Sequence, residues 1–417
     1  MLIKKMPPTR ALIGAWVFLL SLLFSPATLA DGTLVIVGGA LKKDNADVYR
    51  AFIDAAPPVG PLVIIPAASG QPSRSANGFA DDLVNHGFDR TRISIFPLAM
   101  KDDTKSENVD ESLWLKNAWS KEHLDKIANA AGFWFTGGDQ TRITAMLIGE
   151  NEEESPLLTL LRKRLADGAV IGGSSAGAAI MSREMIAGGD SFRALLEPLA
   201  GEYSSTEEQD SGRLHMSQGL GFMPAGIVDQ HFDRKARLGR LVRAMAATGQ
   251  ARAYGVDENT ALVINLESDE ARVLGSGSVT LINATNAQFG FGKTQLVSGL
   301  ELSVIAAGAS FRLVDFEVVS GQGDATIGNE YYGYAPIQGG GMAFANSRLD
   351  QALGYDLLDN DNSTRLKRFS VDHEGRILVY IFTQTPGSKG YWRREGSGEH
   401  YTLSKVRFDI LNPQGLR

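Results

Sequence analysis

Cysteine is absent from this 417-residue chain. That excludes thiol nucleophiles, thiolate metal sites, iron–sulfur clusters and a disulfide framework. Histidine is scarce: His86, His123, His215, His231, His373 and His400 are the whole set. They are scattered, and no H-E-x-x-H pairing exists, so no zinc-type site and no other metal centre is expected. Beyond residue 24 no long apolar run occurs, which leaves the first residues as the one membrane-directed element. The formal charge is −7. A net acidic chain disfavours a phosphate backbone, so nucleic acid is not an expected partner.

What is present begins with a targeting signal. Lys4, Lys5 and Arg10 precede the uncharged run ALIGAWVFLLSLLF at 11–24, Pro26 breaks it, and Thr28-Leu29-Ala30 offers small residues to a signal peptidase. Cleavage after Ala30 is expected, giving a secreted chain with no membrane attachment and a formal charge of −10. The alternative is an uncleaved anchor.

The mature region reads as α/β. Thr33–Val37, Leu62–Pro66, Ile93–Phe96, Gly132–Thr136 and Ala169–Ile171 are short apolar strands, and helix-like spacing lies between them. That alternation predicts a doubly wound, mostly parallel sheet. Residues 201–219 read as a loop or lid, and 234–248 as a basic amphipathic helix carrying Arg234, Lys235, Arg237, Arg240 and Arg243. After about 295, Gly-punctuated aromatic segments predict a β-rich C-terminal region. The expected division is a signal at 1–30, a catalytic domain at 31–295 and a β-rich extension at 296–417.

Gly173-Ser-Ser-Ala-Gly177 fits G-x-S-x-G, a sharp strand-to-helix turn that lifts a serine hydroxyl above the sheet edge. Ser175 occupies the nucleophile position, and Ser174 lies one place early. The N–H of Ala176, at the helix start, faces a developing oxyanion, and the strand-end glycine Gly138 is the expected second donor. A serine needs a base. His231 follows the strand candidate Gly226–Asp229, whereas His215 sits in an irregular stretch. Asp257, Glu258, Asp229 and Asp233 all compete as the orienting acid. Gly38-Gly39 lacks the full spacing of a dinucleotide fingerprint, so no cofactor is expected.

Five ordered segments carry a family resemblance: Ile36-Val-Gly-Gly39, Phe135-Thr-Gly-Gly-Asp-Gln140, Gly172-Gly-Ser-Ser-Ala-Gly-Ala178, Asp229-Gln-His-Phe232 and Gly255-Val-Asp-Glu-Asn-Thr-Ala261. On these the chain resembles the cyanophycinases, within the serine peptidase family that also contains the α-aspartyl dipeptidase peptidase E. The resemblance implies a fold like class I glutamine amidotransferases and a Ser175, His231, Glu258 triad. It implies substrate contacts at Gln140, Asp229, Gln230, Arg237 and Arg240. The implied substrate is cyanophycin, a polyaspartate with arginine on its side-chain carboxyls, cut to β-aspartyl-arginine. A homodimer is compatible with the reading. The signal and the tail depart from the compact intracellular pattern. Two other readings stand beside it: an exported aspartyl peptidase or isopeptidase of different specificity, and a non-catalytic surface- or carbohydrate-binding protein.

Overall fold

The computed structural model describes residues 32–415 apart from 150, 202, 204–208, 322, 341, 343–347 and 396–397. The expected signal at 1–30 lies outside the described residues. Five apolar runs form the parallel centre of the first sheet: β1 (Thr33–Val37), β2 (Leu62–Ile65), β3 (Ile93–Ile95), β4 (Gly132–Phe135) and β5 (Val170–Ser174). Their order across the sheet is β3-β2-β4-β5-β1. Alternate side chains enter opposite layers, as the period-2 geometry of a strand requires. Val35, Val37, Leu62 and Ile64 pack with the helices at 46–54 and 72–85 through Val48, Phe52, Phe79 and Leu83. Leu34, Ile36, Val63 and Ile65 pack with the helices at 140–147 and 156–166 through Ile143, Leu157 and Leu161. Helices thus cover both faces, and the doubly wound α/β centre is present.

Beyond β1 the sheet turns antiparallel. Strands Thr260–Asn265, Glu270–Gly275, Ser310–Arg312 and Val318–Ser320 follow in that order, making nine strands. Half of the pairings are therefore antiparallel; tight hairpins join 260–265 to 270–275 and 310–312 to 318–320, while the other two antiparallel pairs close over longer stretches of chain.

A ten-stranded second sheet holds the β-rich region, but it does not stand apart. Its main path runs 324–325, 389–395, 398–411, 295–306, 278–283, 252–256 and 227–229. The last two strands deliver His231 and Glu258. The expected boundary at 295/296 falls at the first residues of a strand paired with 278–283. One core joins the two regions: Leu241, Val242 and Met245 of the helix Leu238–Thr248 lie with Ile227, Ala253, Ile282, Tyr380 and Phe408. Among the described residues no helix is long and apolar enough to cross a membrane.

Candidate active site

Ser175 stands between β5 and the helix Ala176–Ala179 with φ +57 and ψ −109. A non-glycine residue in that region is strained and persists only where its surroundings enforce it. Here its N–H donates to the Val37 carbonyl at 3.0 Å. Gly177 lets the turn close: a Cβ there would lie 2.4 Å from the Phe135 carbonyl oxygen.

The strand Ile227–Asp229 ends two residues before His231, whose φ is +46 and whose N–H donates to the Gly38 carbonyl. Gly39 makes the space for its ring. At φ +105, a Cβ on Gly39 would sit 2.3 Å from His231 Cε1. The Gly38-Gly39 pair therefore serves the imidazole. Ser175 Oγ lies 2.9 Å from His231 Nε2, and His231 Nδ1 lies 2.6 Å from Glu258 Oε1. An ionised carboxylate only accepts, so Nδ1 carries the proton and Nε2 is left to accept from the serine hydroxyl. Glu258 Oε2 also meets Arg234 Nε at 3.4 Å.

The competing residues lie elsewhere. Asp257, next to Glu258, is half-buried and accepts from the Ser278 N–H at 2.9 Å. Burial, then the nearby Asp233 charge, pushes its carboxyl well above the ordinary range. His215 lies on the strand His215–Gln218, paired with Glu184–Gly188, with its ring near Tyr203. His86 stacks on Tyr49. Asp233 accepts from the Glu258 N–H at 3.4 Å and supports the acid's loop.

Burial pushes the His231 imidazole below 6.5; the hydrogen bond to Glu258 opposes this, and the charges of Arg237 and Lys235 add to it. A lowered value keeps the neutral base available as pH falls. The acidic limb of kcat/KM should therefore have its midpoint below about 6.5, the ordinary histidine value. Lys235→Met should move the limb upward by removing a cation that opposes protonation. A wild-type midpoint above 6.5, on a substrate that does not itself titrate there, would contradict this.

The expected substrate contacts form a buried network. Gln140, Asp229, Gln230, Arg237 and Arg240 are all at most 3% exposed. Arg240 holds Asp229 bidentately at 2.8 and 2.6 Å and donates to the carbonyls of Gly189 and Gln209. Arg237 donates to the backbone and side-chain oxygens of Gln230 and to Asp210. Gln140 Nε2 donates to the carbonyls of Ile186 and Ala187, and its Oε1 accepts from Gln209. The helix begins at Leu238, later than the expected 234, and Arg237 and Arg240 point inward while Arg234 before it stays exposed. Burial alone would raise the Asp229 carboxyl, but Arg240 and then Arg237 outweigh it and hold it low. Gln209 and Asp210, which sequence reading did not single out, close this network. Asp210 pairs with Arg237 and Lys235, and its carboxyl is drawn down to about 2 against the opposing effect of burial. They lie in a polar stretch with no period, so only their three-dimensional partners distinguish them.

Residues 104–272 match the model of Peptidase family S51. The matched span holds Ser175, His231 and Glu258. The chain is a peptidase. It is 29% identical over 297 residues to a cyanophycinase of Nostoc sp., covering 69% of the peptidase and 88% of that protein. It is 29% identical over 257 residues to a cyanophycinase of Geminocystis herdmanii, covering 61% and 81%. A crystal structure of a peptidase from an acI-B1 Actinobacterium overlays with a TM-score of 0.43 at 18% identity, covering 68% of this peptidase and 98% of that chain. Among the described residues no group of three or more His, Cys, Asp or Glu side chains could hold a metal ion.

Proposed function

We propose that the chain is an exported serine peptidase that degrades cyanophycin to β-aspartyl-arginine through an acyl-enzyme. The observation that carries this reading is the line Ser175, His231, Glu258, with hydrogen bonds of 2.9 and 2.6 Å. The likeness to two cyanophycinases supplies the substrate class, and the N-terminal signal supports action outside the cell.

Ser175 Oγ attacks the scissile carbonyl while His231 Nε2 takes its proton. The oxyanion forms against the N–H groups of Ala176 and Gly138, each worth roughly 3–4 kcal/mol in the transition state. Gly137 lies against Ser175, since a Cβ built on it would be 3.3 Å from the serine Cβ. This brings the 137–138 turn to the reacting centre. The C–N bond then breaks, His231 protonates the departing amine, and an ester to Ser175 remains. Water, losing its proton to His231, adds to that ester, and the serine leaves with the proton back on its oxygen. Glu258 keeps the imidazole in the required tautomer and stabilises its charged form. Substrate contact at Gln140, Arg237 and Arg240 requires Gln209 and Asp210 to leave, because they occupy those side chains, while Asp229 and Gln230 are held by Arg240 and Arg237 themselves.

Purified chain incubated with insoluble cyanophycin should release β-aspartyl-arginine, read by mass analysis, with casein resistant under the same conditions. Free arginine as the sole initial product would mean attack on the side-chain amide and would overturn the bond assignment. An exported aspartyl peptidase with a different substrate would leave the polymer intact.

A further inference from the structure

The β-rich region has a concave surface of its own, outside the family match at 104–272. A cavity of about 680 Å³ is walled by Tyr331, Tyr332 and Trp392 and edged by Asp324, Asp359, Glu399 and Arg394. Tyr331 is 83% exposed, far more than an aromatic ring kept for packing. It stands edge-on to Tyr332, with ring centroids 5.1 Å apart. Asp359 is buried and committed, accepting from the Tyr331 N–H at 2.8 Å and the Tyr401 hydroxyl at 2.7 Å. Asp324 is exposed at the edge strand. Three carboxylates face one guanidinium, so the cavity is net negative.

The wall already holds one guanidinium. Arg394 lies over the Trp392 ring at 5.7 Å and donates to Glu399 at 3.1 Å. An aromatic face beneath the plane and a carboxylate at its edge is the pairing that suits arginine and suits a lysine ammonium less well. Tyr331 and Asp324 line the same cavity and add a second aromatic ring and a second carboxylate to it. We propose that this cavity is a second binding site, for arginyl side chains of the polymer, that anchors substrate away from Ser175. The choice of polymer rests on the proposed function; the guanidinium class rests on the cavity itself.

Position in the fold gives the site its use. The strand Asp324–Ala325 is at one edge of the second sheet, and Ile227–Asp229, leading to His231, is at the other. Six strand spacings separate them, on the order of 30 Å along the sheet. An extended chain covers that with roughly nine residues. Long polymer can therefore engage both places at once and gain effective concentration at Ser175, whereas short oligomers cannot.

The test uses the full chain with Ser175→Ala, so that bound polymer is not consumed. Hexa-arginine should bind with Trp fluorescence changes that weaken in salt, and hexa-lysine should bind at least tenfold more weakly. Tyr331→Ala and Asp324→Asn, each added to that background and shown folded by circular dichroism, should each lower co-sedimentation with cyanophycin granules about fivefold or more. Unchanged co-sedimentation in both variants, or equal affinity for the two peptides, would overturn the site. Salt-independent binding would do the same and point to a neutral ligand such as a sugar. If the active enzyme released nothing from the polymer while Tyr331→Ala still abolished hexa-arginine binding, the guanidinium site would stand and the substrate assignment at Ser175 would fall.

Discussion

Ser175→Ala and His231→Ala should each lower kcat on polymer by roughly 10⁴-fold or more, and combining them should add little, because nucleophile and base act as one unit. The geometry demands this: the hydroxyl has one imidazole within reach among the described residues, at 2.9 Å, and a serine at its own pKa is a poor nucleophile. Glu258→Gln should cost on the order of 10⁴-fold, since an amide can favour the wrong tautomer. It should also move the acidic limb further down, because Glu258 is the group that raises the His231 value. Asp257→Asn should be far milder, since that carboxyl faces Ser278. Rates for the four variants, with circular dichroism for folding, decide the assignment. Near-normal activity in Ser175→Ala would end the serine mechanism, and collapse in Asp257→Asn with a normal Glu258→Gln would transfer the acid's role.

The second large effect is on stability. Asp229 sits 1% exposed between Arg240 and Arg237. Removing one partner of a buried ion pair leaves an uncompensated charge and typically costs about 3–5 kcal/mol. Asp229→Leu should therefore melt well below the wild type. It should also lose activity, because Asp229 ends the strand that leads into His231 and the same arginines hold Gln209 and Asp210. The double variant Asp229→Leu/Arg240→Met should recover part of the loss. Full recovery is not expected, because Arg240 also satisfies the carbonyls of Gly189 and Gln209. A single variant that melts within a degree of wild type would show the pair to be dispensable.

Much of this could be read before any coordinates. The five parallel strands announced themselves as apolar runs punctuated by glycine, because a strand buried on both faces has little choice of residue. Ser175 followed from turn chemistry. His231 and Glu258 were narrowed by their positions after strand candidates, and Glu258 was separated from Asp257 only by the family resemblance. Local pattern could not separate two adjacent acids that point to opposite sides. It also could not reveal that Arg237 and Arg240 are interior: their helical spacing is that of a solvated face, and what draws them in is Asp229, several residues away and on another element. The division at 295/296 was a change of composition. Hydrogen bonding across the second sheet runs through it, since strand pairing follows register and not composition.

That shared sheet sets an order of events during synthesis. The strand 252–256, which precedes Glu258, lies beside 278–283, which lies beside 295–306. The last of these takes its outer partner from 398–411, the end of the described chain. Loop closure over such a separation is slow and comes after local structure has formed. A nascent chain that has already made the Ser175 turn still lacks the wall behind its acid and base until the strand 398–411 has been translated. The Ser175, His231 and Glu258 line is thus completed only after the strand 398–411 has emerged, long after the turn that carries the serine.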